Sequence, residues 1–229
     1  MKKQLLLSLI LTSGLGVLIT ACSQVANVNS NSSANRNAMS MNANSMPSNM
    51  SNMPMNGNSN MSGMDMKSSP DAASQPYDLQ FIDTMSRHHQ GALDMAKMAI
   101  AKTANPELKK FAQKIIDDQT KEIGQLKEWR DKWYAGKPMA MNMEMPGMMD
   151  SMKMMSGGEM KHLQGASGKD FDVDFLGMMT PHHESAIKMA KEALTKAEHT
   201  EIKTMSSQII KAQEAEIKMM SEWKTKWSK

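Results

Sequence analysis

The chain has 229 residues, 27 Lys and Arg against 24 Asp and Glu, a formal net charge of +3, one cysteine and 29 methionines. So even a charge balance excludes the basic footprint of a nucleic-acid-binding protein, and a single cysteine excludes an internal disulfide or a cysteine-built zinc site. Methionine is the outlier, against four Phe, two Tyr and four Trp. Met is a flexible core filler and also a soft thioether donor.

Lys2 and Lys3 precede an apolar run from Leu5 to Ile19 that ends in Ile19-Thr20-Ala21-Cys22. A charged start, an apolar middle and small residues at a cut point form an export signal over 1–22. The run of about 15 residues is short for a membrane span of roughly 20. Small residues before Cys22 resemble a bacterial lipobox, which implies cleavage there and a lipid on Cys22. The expected location is the periplasm or cell envelope, reached by secretion across the inner membrane, with a lipid anchor at Cys22.

Residues 23–76 are almost entirely Asn, Ser, Met, Ala, Pro and Gly. They cannot bury enough apolar surface to offset chain entropy, so a disordered tail is expected. The tail carries nine methionines, in spacings such as Met39-x-Met41, Met53-x-Met55 and Met61-x-x-Met64-x-Met66. Thioethers favour Cu(I) and Ag(I) over Zn or Mg.

Over 77–134 the pattern takes helical period, with Asp78 placed at or near an N-cap. One stripe runs Phe81, Met85, His88, Ala92, Met95 and Ala99. Asn105-Pro106 interrupts it, as a cap and first turn would. A second stripe follows through Leu108, Ala112, Ile115, Gln119, Glu122, Leu126, Trp129 and Trp133. Two helices with a short turn make an antiparallel hairpin. Residues 135–170 form a Met-rich crossover, expected to be disordered apart from a short helix near 146–162. It offers Met139, Met141, Met143, Met145, Met148, Met149, Met152 and His162 as further donors. Residues 171–229 then repeat the first hairpin. Shifted by 94, 21 of 53 positions between 81–133 and 175–227 are identical. Two amphipathic hairpins that cannot bury their faces alone should pack as one four-helix bundle over 77–229.

The repeat places Met85, His88, His89 and Met95 in register with Met179, His182, His183 and Met189. Counted from the hairpin turn, each His pair lies opposite Gln119 and Glu122, or Gln213 and Glu216. Polar residues on a core stripe are costly unless hydrogen-bonded or metal-bound. Three readings follow. One is a hydrogen-bonded layer that sets helix register. Another is a Met/His metal site suited to copper, with Glu122 and Glu216 as ligands or as partners of the imidazoles. The third is a di-iron carboxylate centre, which needs Glu-x-x-His on two helices. The one such spacing here, Glu159-x-x-His162, lies in the crossover.

The pattern Met-x-x-His-His-x-x-Ala-Ile/Leu-x-Met-Ala, at Met85–Ala96 and Met179–Ala190 and followed by a helix ending Trp-x-x-x-Trp, resembles the DUF305 family. The resemblance covers about 77–228. It implies an all-α, ferritin-like four-helix bundle. For members that also carry an export signal and Met-rich segments, it implies extracytoplasmic copper binding and copper resistance. Gln90 and Gly91 differ from Glu184 and Ser185, so the two motifs need not be equivalent. The expectation is a non-enzymatic protein that sequesters or buffers Cu(I), with Cu(II) and Ag(I) as alternatives. Candidate partners are metal ions, copper exporters and a copper-sensing kinase; the membrane is met only through Cys22. The competing functions are a metal-dependent oxidase using the His/Glu layer, or a lipoprotein whose methionines absorb oxidants.

Overall fold

Helix α1 spans Tyr77–Lys102 and α2 spans Pro106–Trp133. The break between them has a local cause: Asn105 Oδ1 accepts from the backbone N–H of Glu107 at 2.9 Å and of Leu108 at 3.3 Å. Pro106 takes the first helical position, where a missing N–H costs nothing. The chain continues through α3, Met148–Ser156, and α4, Gly158–Gly165, into α5, Gly168–Lys196, and α6, Thr200–Trp227. The computed structural model describes residues 67–229, and the architecture there is all-helical. The export signal, Cys22 and the methionines from Met39 to Met66 lie outside the described residues.

The two expected hairpins are α1 with α2 and α5 with α6, and α1 packs on α5 between them. Tyr77 Oη at the start of α1 lies 3.3 Å from Glu192 near the end of α5. Lys102 at the end of α1 sits over the Phe171 ring at the start of α5. The two helices are therefore antiparallel. The apolar stripe of α1 is buried, and of the expected α2 stripe Leu108, Ala112, Ile115, Gln119 and Leu126 are buried while Glu122, Trp129 and Trp133 are half-buried.

Three expectations change. The crossover is folded rather than disordered: α3 packs on α1 and α5, and α4 packs on α5. Its methionines make this possible. Met143, Met145, Met148, Met152, Met155 and Met160 are all buried, and 148, 152 and 155 fall on one helical face. Unbranched side chains fill an irregular gap over α1 and α5. The stretch before α3 is pinned by α1 side chains. Asp83 accepts from Ala140 N at 2.8 Å while holding Arg130 Nε at 2.7 Å, and Thr84 Oγ1 accepts from Asn142 N at 2.9 Å. The tail also docks before position 76. Ser69 N donates to Met141 O at 2.8 Å, and Ser68 Oγ accepts from Met143 N at 2.9 Å.

Asp78 does not cap its own helix, whose N-cap residue is Pro76. Its buried carboxylate accepts from the backbone N–H of Glu198 and of His199, each at 2.9 Å, and lies 2.6 Å from His199 Nδ1. It therefore closes the α5–α6 turn from across the fold. The His199 ring stacks on Trp133 at 3.7 Å, which ties in the end of α2. Asp78→Ala leaves two backbone donors and an imidazole without their acceptor, at about 1–3 kcal/mol for each group buried unpaired. The expected loss is about 3 kcal/mol, read as a lower urea midpoint with an unchanged slope.

Candidate metal centre

Antiparallel packing of α1 on α5 brings the two His-His stretches to the same level, with the His88 and His182 ring centroids 3.9 Å apart. All four imidazoles are buried: His88, His89, His182 and His183 are 2%, 0%, 1% and 0% exposed. They divide the apolar interior in two. Phe81, Met85, Met148 and Met189 pack on one side, and Met95, Phe111, Phe171 and Met179 on the other.

Consecutive residues on an α-helix point about 100° apart, and here the two members of each pair serve opposite faces of the α1–α5 layer. His89 and His183 turn toward α2 and α6. His183 Nε2 lies 2.9 Å from Glu216 Oε2 in hydrogen-bond geometry. His89 Nε2 lies 2.8 Å from Glu122 Oε2, close enough for an ion pair but without hydrogen-bond alignment. His88 and His182 turn toward α3. The expected pairing with Glu thus holds for one histidine of each pair and not for both. It could not hold for both, because side chains at i and i+1 cannot enter one groove.

Toward α3 the two rings line a cavity of about 10 Å³ together with Arg87, Gly91, Ser151, Met152 and Met155. That is room for about one water-sized body. Gly91 keeps the space open, since a Cβ there would meet His182 Nε2 at 3.2 Å and Met155 Cε at 3.4 Å. Gly147, in the left-handed region at φ 84°, lets α3 start directly against α5; a Cβ there would meet Ser185 Cα at 2.8 Å. Among the described residues no three His, Cys, Asp or Glu side chains form a group able to hold a metal ion. A site in this cavity must therefore be completed by sulfur, and Met152 and Met155 are the sulfurs that line it.

Met85 and Met189 share one apolar cluster with Met143, Met145 and Met148, while Met95 and Met179 lie in the other. None of these lines the cavity. Met139, Met141 and Met149 are half-buried. His162 stands at the surface with its Nε2 3.1 Å from Asp174. Of the candidate methionines Met152 lines the cavity; Met155, not among the candidates, lines it too, and its i, i+3 spacing from Met152 is the signal of a shared helical face. Ser185 and Gly91 were noted only as a difference between the motifs.

The carboxylates belong to the opposite face. Between α2 and α6 lies a cleft of about 290 Å³, lined by Gln119, Glu122, Gln213 and Glu216 among others. The Oε1 atoms of Gln119 and Gln213 are buried there without partners. Burial raises the Glu216 pKa, but the His183 contact and Lys114, 2.8 Å from Oε1, outweigh it and hold the carboxyl below its ordinary value.

Burial, reinforced by the neighbouring imidazoles, pushes His88 and His182 well below the ordinary 6.5. They are neutral near pH 7, the form in which an imidazole can bind a metal. Below pH 6.5 the unfolded chain binds protons that the folded chain refuses, so these histidines make stability fall as pH drops. Glu216, depressed below 4.5, adds a second loss at lower pH. Melting temperature should therefore decline from about pH 6.5 downward. In a His88→Gln/His182→Gln variant the decline between pH 6.5 and the carboxylate range should be smaller.

Comparison with known proteins follows the same geometry. The model of the family "Domain of unknown function (DUF305)" matches residues 78–224. Among solved structures, CopM in its Cu(II)-bound form is 38% identical, with a TM-score of 0.55 over 66% of this chain and 97% of that one. CopM in its Cu(I)-bound form is 37% identical, with a TM-score of 0.53 over 66% and 96%. A protein from Streptomyces coelicolor, described as a secreted DUF305 protein, is 28% identical, with a TM-score of 0.59 over 67% and 94%. No curated protein matches. A family match over more than half the chain, on the residues that build the histidine layer, leads to one conclusion: this protein belongs to the DUF305 family.

Proposed function

We propose that this protein binds copper outside the cytoplasm, sequestering or buffering Cu(I) and thereby limiting its toxicity. The observation that carries the reading is the cavity where His88 and His182 meet Met152 and Met155 with no carboxylate in the lining. Neutral imidazole with thioether suits Cu(I), and by the same softness Ag(I); it suits Zn(II) and Mg(II) poorly. The cavity's size supports binding rather than turnover, since it has no room for a substrate beyond a single ion. CopM, at 37–38% identity, has been solved with Cu(I), Cu(II) and silver bound. The four long helices, antiparallel in pairs and joined by a long crossover, are read as a ferritin-like four-helix bundle.

The export signal supports a place in the periplasm or cell envelope, with Cys22 as the lipid anchor. The nine tail methionines would add sulfur-only capacity outside the helical domain. A copper exporter or a copper-sensing kinase is the natural recipient of the ion.

Titration of the mature protein with Cu(I) against a competing chelator tests the reading. At least one tightly held equivalent should be found in residues 67–229. Ag(I) should displace it and Zn(II) should not. Met152→Leu/Met155→Leu should weaken Cu(I) binding at least tenfold and leave the fold intact, because a Met-to-Leu exchange conserves volume and costs under about 1.5 kcal/mol. Sub-stoichiometric or millimolar binding by the parent protein would sink the proposal. Exchange of the nine tail methionines for Leu should lower total stoichiometry alone.

A further inference from the structure

The two His-His motifs match at the histidines and differ three residues after the first of them, where Gly91 corresponds to Ser185. Gly91 lines the cavity, and Ser185 touches His88, one of the rings that line it. Ser185 Oγ lies 2.5 Å from His88 Nε2 and also donates to the carbonyl of His182, one turn back on its own helix, at 2.7 Å. A serine hydroxyl has one proton. When that proton goes to the His182 carbonyl, Oγ accepts from His88, and Nε2 of His88 carries the hydrogen. The lone pair of a neutral His88 then sits on Nδ1, which is buried and has no partner.

His182 meets the opposite situation. The corresponding position on α1 is Gly91, which has no side chain, and Nε2 of His182 faces that gap at 3.2 Å from where a Cβ would stand. Met155 Cε lies 3.4 Å from the same point. A hydroxyl on one side and an empty place on the other make two rings of the same sequence motif chemically different.

We propose that Ser185 is a positioning residue that fixes His88 as the Nε2–H tautomer, so that a soft monovalent ion in this cavity is taken by Nε2 of His182 and from His88 by Nδ1 alone. The inference rests on the copper reading above and adds to it which nitrogens are used. It makes the second motif's serine and the first motif's glycine parts of one site instead of drift between two copies. Gly91 leaves room at His182, and Ser185 withdraws the matching nitrogen of His88.

The test is nitrogen-15 NMR of the side-chain imidazoles in the whole mature protein, with and without one equivalent of Ag(I). In the silver-free protein His88 should show a protonated Nε2 and a lone-pair Nδ1. Silver should shift Nε2 of His182 and leave Nε2 of His88 in the protonated range. Ser185→Ala should mix the His88 tautomers, with no change in the helical signal, while Ser185→Thr should restore the single form. Gly91→Ser should weaken Ag(I) binding at least tenfold, with His199 and the tryptophan signals unmoved as a check on folding. A lone-pair Nε2 on His88 in the parent protein, or an equal silver shift at Nε2 of both rings, overturns the inference and leaves the copper reading standing. Silence of all four core imidazoles on adding silver overturns both.

Discussion

Four imidazoles buried at one level between two helices is the constraint on which the rest of the structure depends. An imidazole carries a donor and an acceptor, and in a dry interior each must find a partner or cost about 1–3 kcal/mol. The fold meets this demand only in part. Glu216 is hydrogen-bonded to His183 and Ser185 to His88, while Glu122 stands against His89 without hydrogen-bond alignment. Nδ1 of all four rings is buried without a hydrogen-bond partner. A purely structural polar layer would be expected to close on itself. This one leaves ring nitrogens unpartnered inside, and two of the rings, His88 and His182, are held neutral by burial beside Met152 and Met155. On the account offered here, that unspent bonding capacity is what an ion uses.

The sidedness of the layer divides the chemistry. Hard donors lie toward α2 and α6, where Glu122 and Glu216 line a wide cleft. Soft donors lie toward α3, where Met152 and Met155 line a narrow cavity. The thickness of the α1–α5 layer separates a carboxylate environment from a thioether environment, and the two rings of each His-His motif belong one to each. Methionine has two uses in this arrangement. As a packing residue it fills the interface that binds the crossover to α1 and α5, and on the proposed reading it serves as a donor in the narrow cavity beside His88 and His182. Three freely rotating bonds let a thioether turn toward an ion without repacking the core.

The hairpins, their turn at Asn105-Pro106, the buried stripes and the opposition of Glu122 to His89 and of Glu216 to His183 were all legible in helical periodicity and hairpin counting. The orientation of the second ring in each pair was equally available, because consecutive helical residues diverge by about 100°, but counting along the hairpin treats a pair as one position. In the crossover a short helix near 146–162 is legible, but its burial is not. Methionine is both soft ligand and core filler, and the spacing of 148, 152 and 155 alone does not tell which. Asp78 was beyond reach of local reading, since its acceptors serve N–H groups about 120 residues later. Gly91 and Ser185 were visible as a difference, but only the antiparallel packing of α1 on α5 shows that each faces the other motif's histidine.

The central claim is that a soft ion enters the histidine layer on the methionine side. Anomalous diffraction from crystals of the protein soaked in Ag(I) tests it most directly. The account predicts one strong peak within the described domain, bounded by His182, His88, Met152 and Met155. A peak in the cleft beside Glu122 and Glu216, with none in the cavity, would contradict it.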